Sequence, residues 1–174
     1  MPKRNHSSTP RDAITMLVED HEKVQKLFEE FEKIRDDEAA KQDLVDTVCA
    51  ELTIHTQLEE EIFYPAVREA IDDEDLMNEA EVEHNNAKQI INDLIDMQPD
   101  DELYDATFTV LGEGINHHIA EEQEAMFPKV KKAKLDLEAL GEEMLQRKQE
   151  LQAEMGVEDE EEVEEPQSSG KKSR

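Results

Sequence analysis

Apolar residues recur along this chain at alternating steps of three and four, the spacing that keeps them on one face of an α-helix packed in a bundle. The first stripe runs Ile14, Leu17, His21, Val24, Phe28, Phe31 and the second Val45, Val48, Leu52, His55, Glu59, Ile62, Ala66. The third runs Met77, Ala80, His84, Ala87, Ile91, Leu94 and the fourth Phe108, Leu111, Ile115, His118, Glu122, Ala125. Four helices are predicted, each with one or two polar side chains in line for burial. Thr9 with Pro10 predicts the N-cap and first position of the opening helix. Pro65 and Pro128, late in the second and fourth helices, each lack a backbone donor and predict a kink or a stop. Pro99-Asp100-Asp101 predicts the turn between the third and fourth. A fifth segment, Leu137, Leu140, Met144 and Leu151 behind a cap at Asp136, is amphipathic, is weakened by Gly141, and is expected to pack on the outside of the bundle.

The expected fold class is all-α, an up-down-up-down four-helix bundle over residues 9–133. A flexible leader (1–8) precedes it, and an amphipathic C-terminal helix (134–155) and a disordered acidic tail (156–174) follow. The tail contains Glu158 to Glu165, a run with too little apolar surface to offset the entropy of ordering it.

Composition strengthens the helical reading, with only 5 glycines and 6 prolines among 174 residues. The 19 basic against 47 acidic side chains leave a formal charge of −28, which repels nucleic acid and anionic membrane surfaces. No apolar run reaches the roughly 20 residues of a membrane span, and nothing near Met1 has the form of a signal peptide. Cys49, the sole cysteine, excludes an internal disulfide. A cytoplasmic monomer without nucleic-acid or membrane partners is expected.

The chain also repeats itself. Adding 63 to a position in the first half reaches its counterpart in the second: His21 maps to His84, His55 to His118, Glu59 to Glu122 and Pro65 to Pro128. Each half is one helical hairpin, and in each the His-x-x-x-Glu pair lies one turn apart on one helix face. Burying two carboxylates without partners costs several kcal/mol apiece, and four imidazoles add to that. Two divalent ions would compensate all six, supplying positive charge to the carboxylates and accepting a lone pair from each neutral histidine. Carboxylate and imidazole donors suit iron, with manganese or zinc ranking below it. His117 maps onto Ile54 and points about 100° away from His118, which reads as a surface residue or one that supports a metal ligand from behind. Glu60, Glu61, Glu121 and Glu124 read as solvated faces, with an outer ligand among them as the alternative, and His6 carries no role.

Through Asp20-His21, His55 to Pro65, Glu83-His84 and His118 to Pro128, the sequence resembles the hemerythrin-like, or HHE cation-binding, family over about residues 11 to 150. The resemblance implies that His21 and His55 bind one iron, that His84 and His118 bind the other, and that Glu59 and Glu122 bridge them. The oxygen carriers of that family have a further histidine where Ala80 stands and an aspartate where Glu122 stands. The iron near His84 and His118 is therefore expected to keep an open position unless Glu81, one turn from His84, completes it. The expected function is that of a non-haem di-iron protein that binds or reacts with O₂, peroxide or nitric oxide in sensing or stress defence, with peroxide decomposition as its candidate enzymatic activity. Iron buffering or a metal-dependent scaffold is the alternative, and reversible oxygen transport and repair of iron centres rank below both.

Overall fold

Helix α1 (Ala13–Ile34) begins later than Thr9 predicts, because Asp12 is the residue whose side chain caps it, accepting from the Thr15 N–H at 2.8 Å. The computed structural model describes residues 11–157, so Thr9, Pro10, the leader and the acidic run from Glu158 lie outside the described residues. Three further helix starts carry the same device: Asp37 accepts from Ala40, Asp73 from Leu76 and Asp136 from Ala139.

The second bundle helix is α2 (Glu38–Leu58), a π-helical turn (Glu59–Phe63) and α3 (Tyr64–Ala70) in unbroken succession. Helix α4 (Glu74–Asp96) is the third. The fourth repeats the pattern of the second, with α5 (Tyr104–Glu121), a π turn (Glu122–Met126) and α6 (Phe127–Lys132). Of the two outcomes expected at Pro65 and Pro128, a kink or a stop, the stop does not occur. In each case the π turn ends with an N–H reaching back five residues, Tyr64 to the Glu59 carbonyl and Phe127 to the Glu122 carbonyl. The proline then falls in the first turn of the resumed helix, where a missing donor costs least.

The extra residue in each π turn shifts the buried face by one position. Ile62 and Ala66, which continue the ideal stripe, are only partly buried, and Phe63 and Val67 fill the core instead. Ala125 likewise gives way to Met126, with Phe127 and Val130 behind it.

Around the bundle, α1 packs on α2 and α5, and α4 packs on α5 and α2. The core is divided along its length. One apolar cluster gathers Leu17, Ile54, Phe63, Met77, Phe127 and Val130, and the other Val24, Phe31, Leu52, Ile91, Phe108 and Leu111. In sequence His21 and His84 each fall between the two clusters, so a polar layer crosses the bundle where they meet.

Helix α7 (Leu137–Met155) lies against α1 and α2 and closes the first cluster with Met144 and Leu151. Gly141, which weakens the helix as a sequence, is what allows it to dock. A Cβ there would stand 2.2 Å from the backbone oxygen of Arg11 and 3.0 Å from the nitrogen of Ala13. Among the described residues no helix is long and apolar enough to cross a membrane.

Candidate metal centre

All six sequence-predicted positions, His21, His55, Glu59, His84, His118 and Glu122, are brought together in the polar layer and are buried, Glu59 at 0% and Glu122 at 1% exposure. The two carboxylates each face both histidine pairs. Glu59 turns Oε1 to His55 Nε2 and Oε2 to His84 Nε2, both at 3.1 Å. Glu122 turns Oε2 to His21 Nε2 at 3.0 Å and Oε1 towards His118 Nε2 at 3.7 Å. Each glutamate opens a π turn, so the widened backbone lies at the two residues nearest the centre of the layer.

These short distances are not all hydrogen bonds. His21 Nε2, His55 Nε2, both oxygens of Glu59 and Glu122 Oε2 are buried without a hydrogen-bond partner. Atoms close together yet not aimed at one another are converging on shared points between them. Ligands held about 2.1 Å from one ion at right angles stand about 3.0 Å apart, which is the spacing found here. Two groups emerge: His21, His55, Glu59 and Glu122, and next to it Glu59, His84 and His118.

Each histidine is anchored by its other ring nitrogen, and the anchors obey the 63-residue repeat. His55 Nδ1 meets Asp20 Oδ2 at 3.2 Å, and His118 Nδ1 meets Glu83 Oε2 at 2.6 Å. His84 Nδ1 meets Glu60 Oε1 at 3.0 Å, and His21 Nδ1 lies 3.2 Å from the Gln123 side-chain amide. Asp20 corresponds to Glu83 and Glu60 to Gln123, so each hairpin orients histidines of the other or of its own through equivalent positions. An outer acceptor on Nδ1 fixes the tautomer that leaves the Nε2 lone pair facing inwards, the arrangement that metal-binding histidines use. At His21 the neighbouring atom is the Gln123 amide nitrogen, a donor, so this contact positions the ring without supplying an outer acceptor.

The electrostatics follow. Burial alone would raise the Asp20 carboxyl, but His55 and Lys148 outweigh it and hold it at about 2. Burial alone would lower His118, but Glu83, with Glu122 and Glu59 behind it, raises it to about 9. His55 is likewise raised well above its ordinary value, burial being overcome by Glu59 and Asp20, while the histidines hold Glu59 well below the carboxylate range against its own burial. Without an ion, the attraction between these imidazoles and carboxylates opposes the cost of burying both.

The structure adds one group that the helix stripes do not predict. The Tyr64 hydroxyl donates to Glu122 Oε1 at 2.7 Å and lies 3.2 Å from His84 Nε2 and 3.3 Å from His118 Nε2. Its signal in the sequence is the repeat, which pairs Tyr64 with Phe127 and so marks a difference between the halves. Glu81, expected as a candidate at this position, is exposed and pairs with Arg68 at 3.3 Å, away from the layer. Glu60 is a correction too, since it anchors His84 instead of forming a solvated face. Glu61 pairs with Arg147, Glu121 with His117, and Glu124 is exposed. His117 stands outside the layer, its side chain 65% exposed.

Comparison with known proteins agrees with this fold. The chain adopts the same fold as a hemerythrin HHE cation-binding domain-containing protein from Mycobacterium kansasii, with a TM-score of 0.72 over 83% of this chain and 89% of that one, at 23% identity. No curated protein sequence matches it. The family model for the hemerythrin HHE cation-binding domain matches residues 12–130, and the chain belongs to that family.

Proposed function

We propose that His21, His55, Glu59, His84, His118 and Glu122 hold two iron ions, with the two glutamates spanning both, and that the protein binds or reacts with O₂, peroxide or nitric oxide in sensing or stress defence. One observation carries this reading: five buried ligand atoms have no hydrogen-bond partner, yet they converge at the spacing of a shared coordination sphere. When bound, two iron ions supply exchangeable electrons, a chemistry that no side chain here provides.

The chain's own residues account for the rest. Asp20, Glu60 and Glu83 orient the imidazoles. The two apolar clusters, above and below the layer, exclude water from it. Tyr64 holds a proton at Oη, because burial first and the charges of Glu122 and Glu59 next push its ionisation well above the ordinary phenol value.

Metal analysis of protein purified from iron-fed cells tests the proposal. Near two irons per chain are expected, falling sharply in His55→Ala and in Glu59→Ala, and a wild-type protein without near-stoichiometric iron overturns the reading. Peroxide breakdown that disappears in both variants would assign turnover, whereas a spectrum that responds reversibly to O₂ without turnover would assign binding.

A further inference from the structure

What lies behind the anchoring carboxylates breaks the repeat at one point. Behind His55, the Asp20 carboxylate carries an ammonium, with Lys148 Nζ of α7 donating to Oδ1 at 2.8 Å. Behind His84, Glu60 carries another, Lys88 Nζ at 2.6 Å from both oxygens. Glu83 is the counterpart of Asp20 and meets His118 with Oε2, but its Oε1 turns to His117 Nε2 at 3.3 Å. The same nitrogen lies 3.3 Å from Glu121 Oε1. Where Asp20 and Glu60 each have a fixed cation, Glu83 faces an imidazole and a second carboxylate, in an open depression also lined by Asp75 and Glu79.

The cause of the difference is α7. His117 and Glu121 correspond by the repeat to Ile54 and Leu58, both buried in the cluster that Met144 and Leu151 of α7 complete. Helix α7 packs on α1 and α2, so the equivalent face of the second hairpin stays open to solvent. On that face His117 and Glu121 form a second His-x-x-x-Glu pair, one residue out of step with His118 and Glu122, and Glu83 reaches it from α4. One nitrogen and two oxygens from two helices have ligand atoms all within 4.8 Å of one another. Mixed imidazole and carboxylate donors select a divalent transition metal, because magnesium and calcium prefer oxygen alone and softer ions require thiolate.

We propose that Glu83, His117 and Glu121 form an outer site for one divalent transition-metal ion, standing where Lys148 Nζ stands behind Asp20. Glu83 reaches His118 with its other oxygen, so an ion there touches the carboxylate that orients a histidine of the buried layer. Three protein ligands on an exposed face leave the remaining coordination to water, which makes the outer ion exchangeable. The site goes beyond the di-iron reading and stands whichever metal the buried six hold.

Zinc titration of the full-length, metal-loaded protein by calorimetry, at about 0.15 M salt to screen the general acidity, tests the site. One saturable Zn²⁺ step per chain is expected, weakened at least about tenfold in His117→Ala and in Glu121→Ala, as is usual when a ligand is lost. Glu124→Ala removes an exposed acid outside the trio and should leave the step unchanged. Elemental analysis of the same samples follows the buried metal separately, and Glu122→Gln should disturb that metal while keeping the Zn²⁺ step. Absence of the step in the wild-type protein, an unchanged affinity in both His117→Ala and Glu121→Ala, or an equal loss in Glu124→Ala overturns the proposal.

Discussion

The hydroxyl of Tyr64 donates a 2.7 Å hydrogen bond to Oε1 of Glu122, linking the two hairpins at one of the six central side chains. The repeat sets Phe127 opposite Tyr64, and Phe127 lies parallel to the His21 ring, with 6.1 Å between centroids and no hydroxyl to offer. The Tyr64 hydroxyl is therefore one atom by which the His84/His118 side differs from the His21/His55 side. The two histidine pairs, related by an internal repeat, are made unequal by it.

Replacing Tyr64 with Phe tests that inequality. In the metal-free protein Glu122 Oε1 loses its donor while remaining buried, which should lower stability by about 1–3 kcal/mol. The metal-loaded protein should lose less, because the ion supplies the missing partner. Chemical unfolding with and without metal measures both; equal losses in the two states would contradict a metal at Glu122.

Metal binding should release protons. The folded values of His118, about 9, and of His55, well raised, stabilise the metal-free fold fully below the unfolded histidine value of 6.5. That stability is lost as pH rises through the folded values. The melting temperature of the metal-free protein should thus fall between about pH 6.5 and 9, while metal affinity rises over the same window because fewer protons must be displaced. Chelator competition across that range provides the check, and an affinity independent of pH would rule the coupling out.

Asp20→Asn and Glu83→Gln each keep the shape of an anchor while removing its charge. Each should weaken metal binding by about 10–100-fold without removing any of the six central residues. Competition with a chelator of known affinity reads the change, and wild-type affinity in both variants would show that the anchors do not tune the histidines.

Gly141→Ala probes the docking of α7. With the added methyl meeting the Arg11 backbone oxygen at 2.2 Å, α7 must move away from α1, at a cost of about 1–3 kcal/mol despite the better helix propensity of alanine. Denaturant unfolding would show it as a lower midpoint, whereas a more stable variant would mean that helix propensity outweighs the close contact.

Much of the fold and of the candidate site is legible in the chain because helical periodicity is local. His21, His55, His84 and His118 share stripes with leucines and valines, so the faces that bury Leu17 and Leu52 must bury them too. The stripes misread the segments after Glu59 and Glu122, since an ideal period of 3.6 cannot register an inserted residue. Phe63 and Met126 consequently appear where Ile62 and Ala125 are expected. Glu60 resembles any exposed helix glutamate until α4 brings His84 beside it.

The sequence by itself determined the helical hairpins, their repetition and the six polar residues turned to the core, all consequences of spacing along one chain. Only the tertiary structure decided which ring nitrogen faces inwards, that Tyr64 joins the His84/His118 side, and that Gly141 seats α7 on the first hairpin alone. Those outcomes depend on distances between helices, which no periodicity within a helix encodes. For the same reason Asp20 is backed by Lys148, while its counterpart Glu83 opens onto His117.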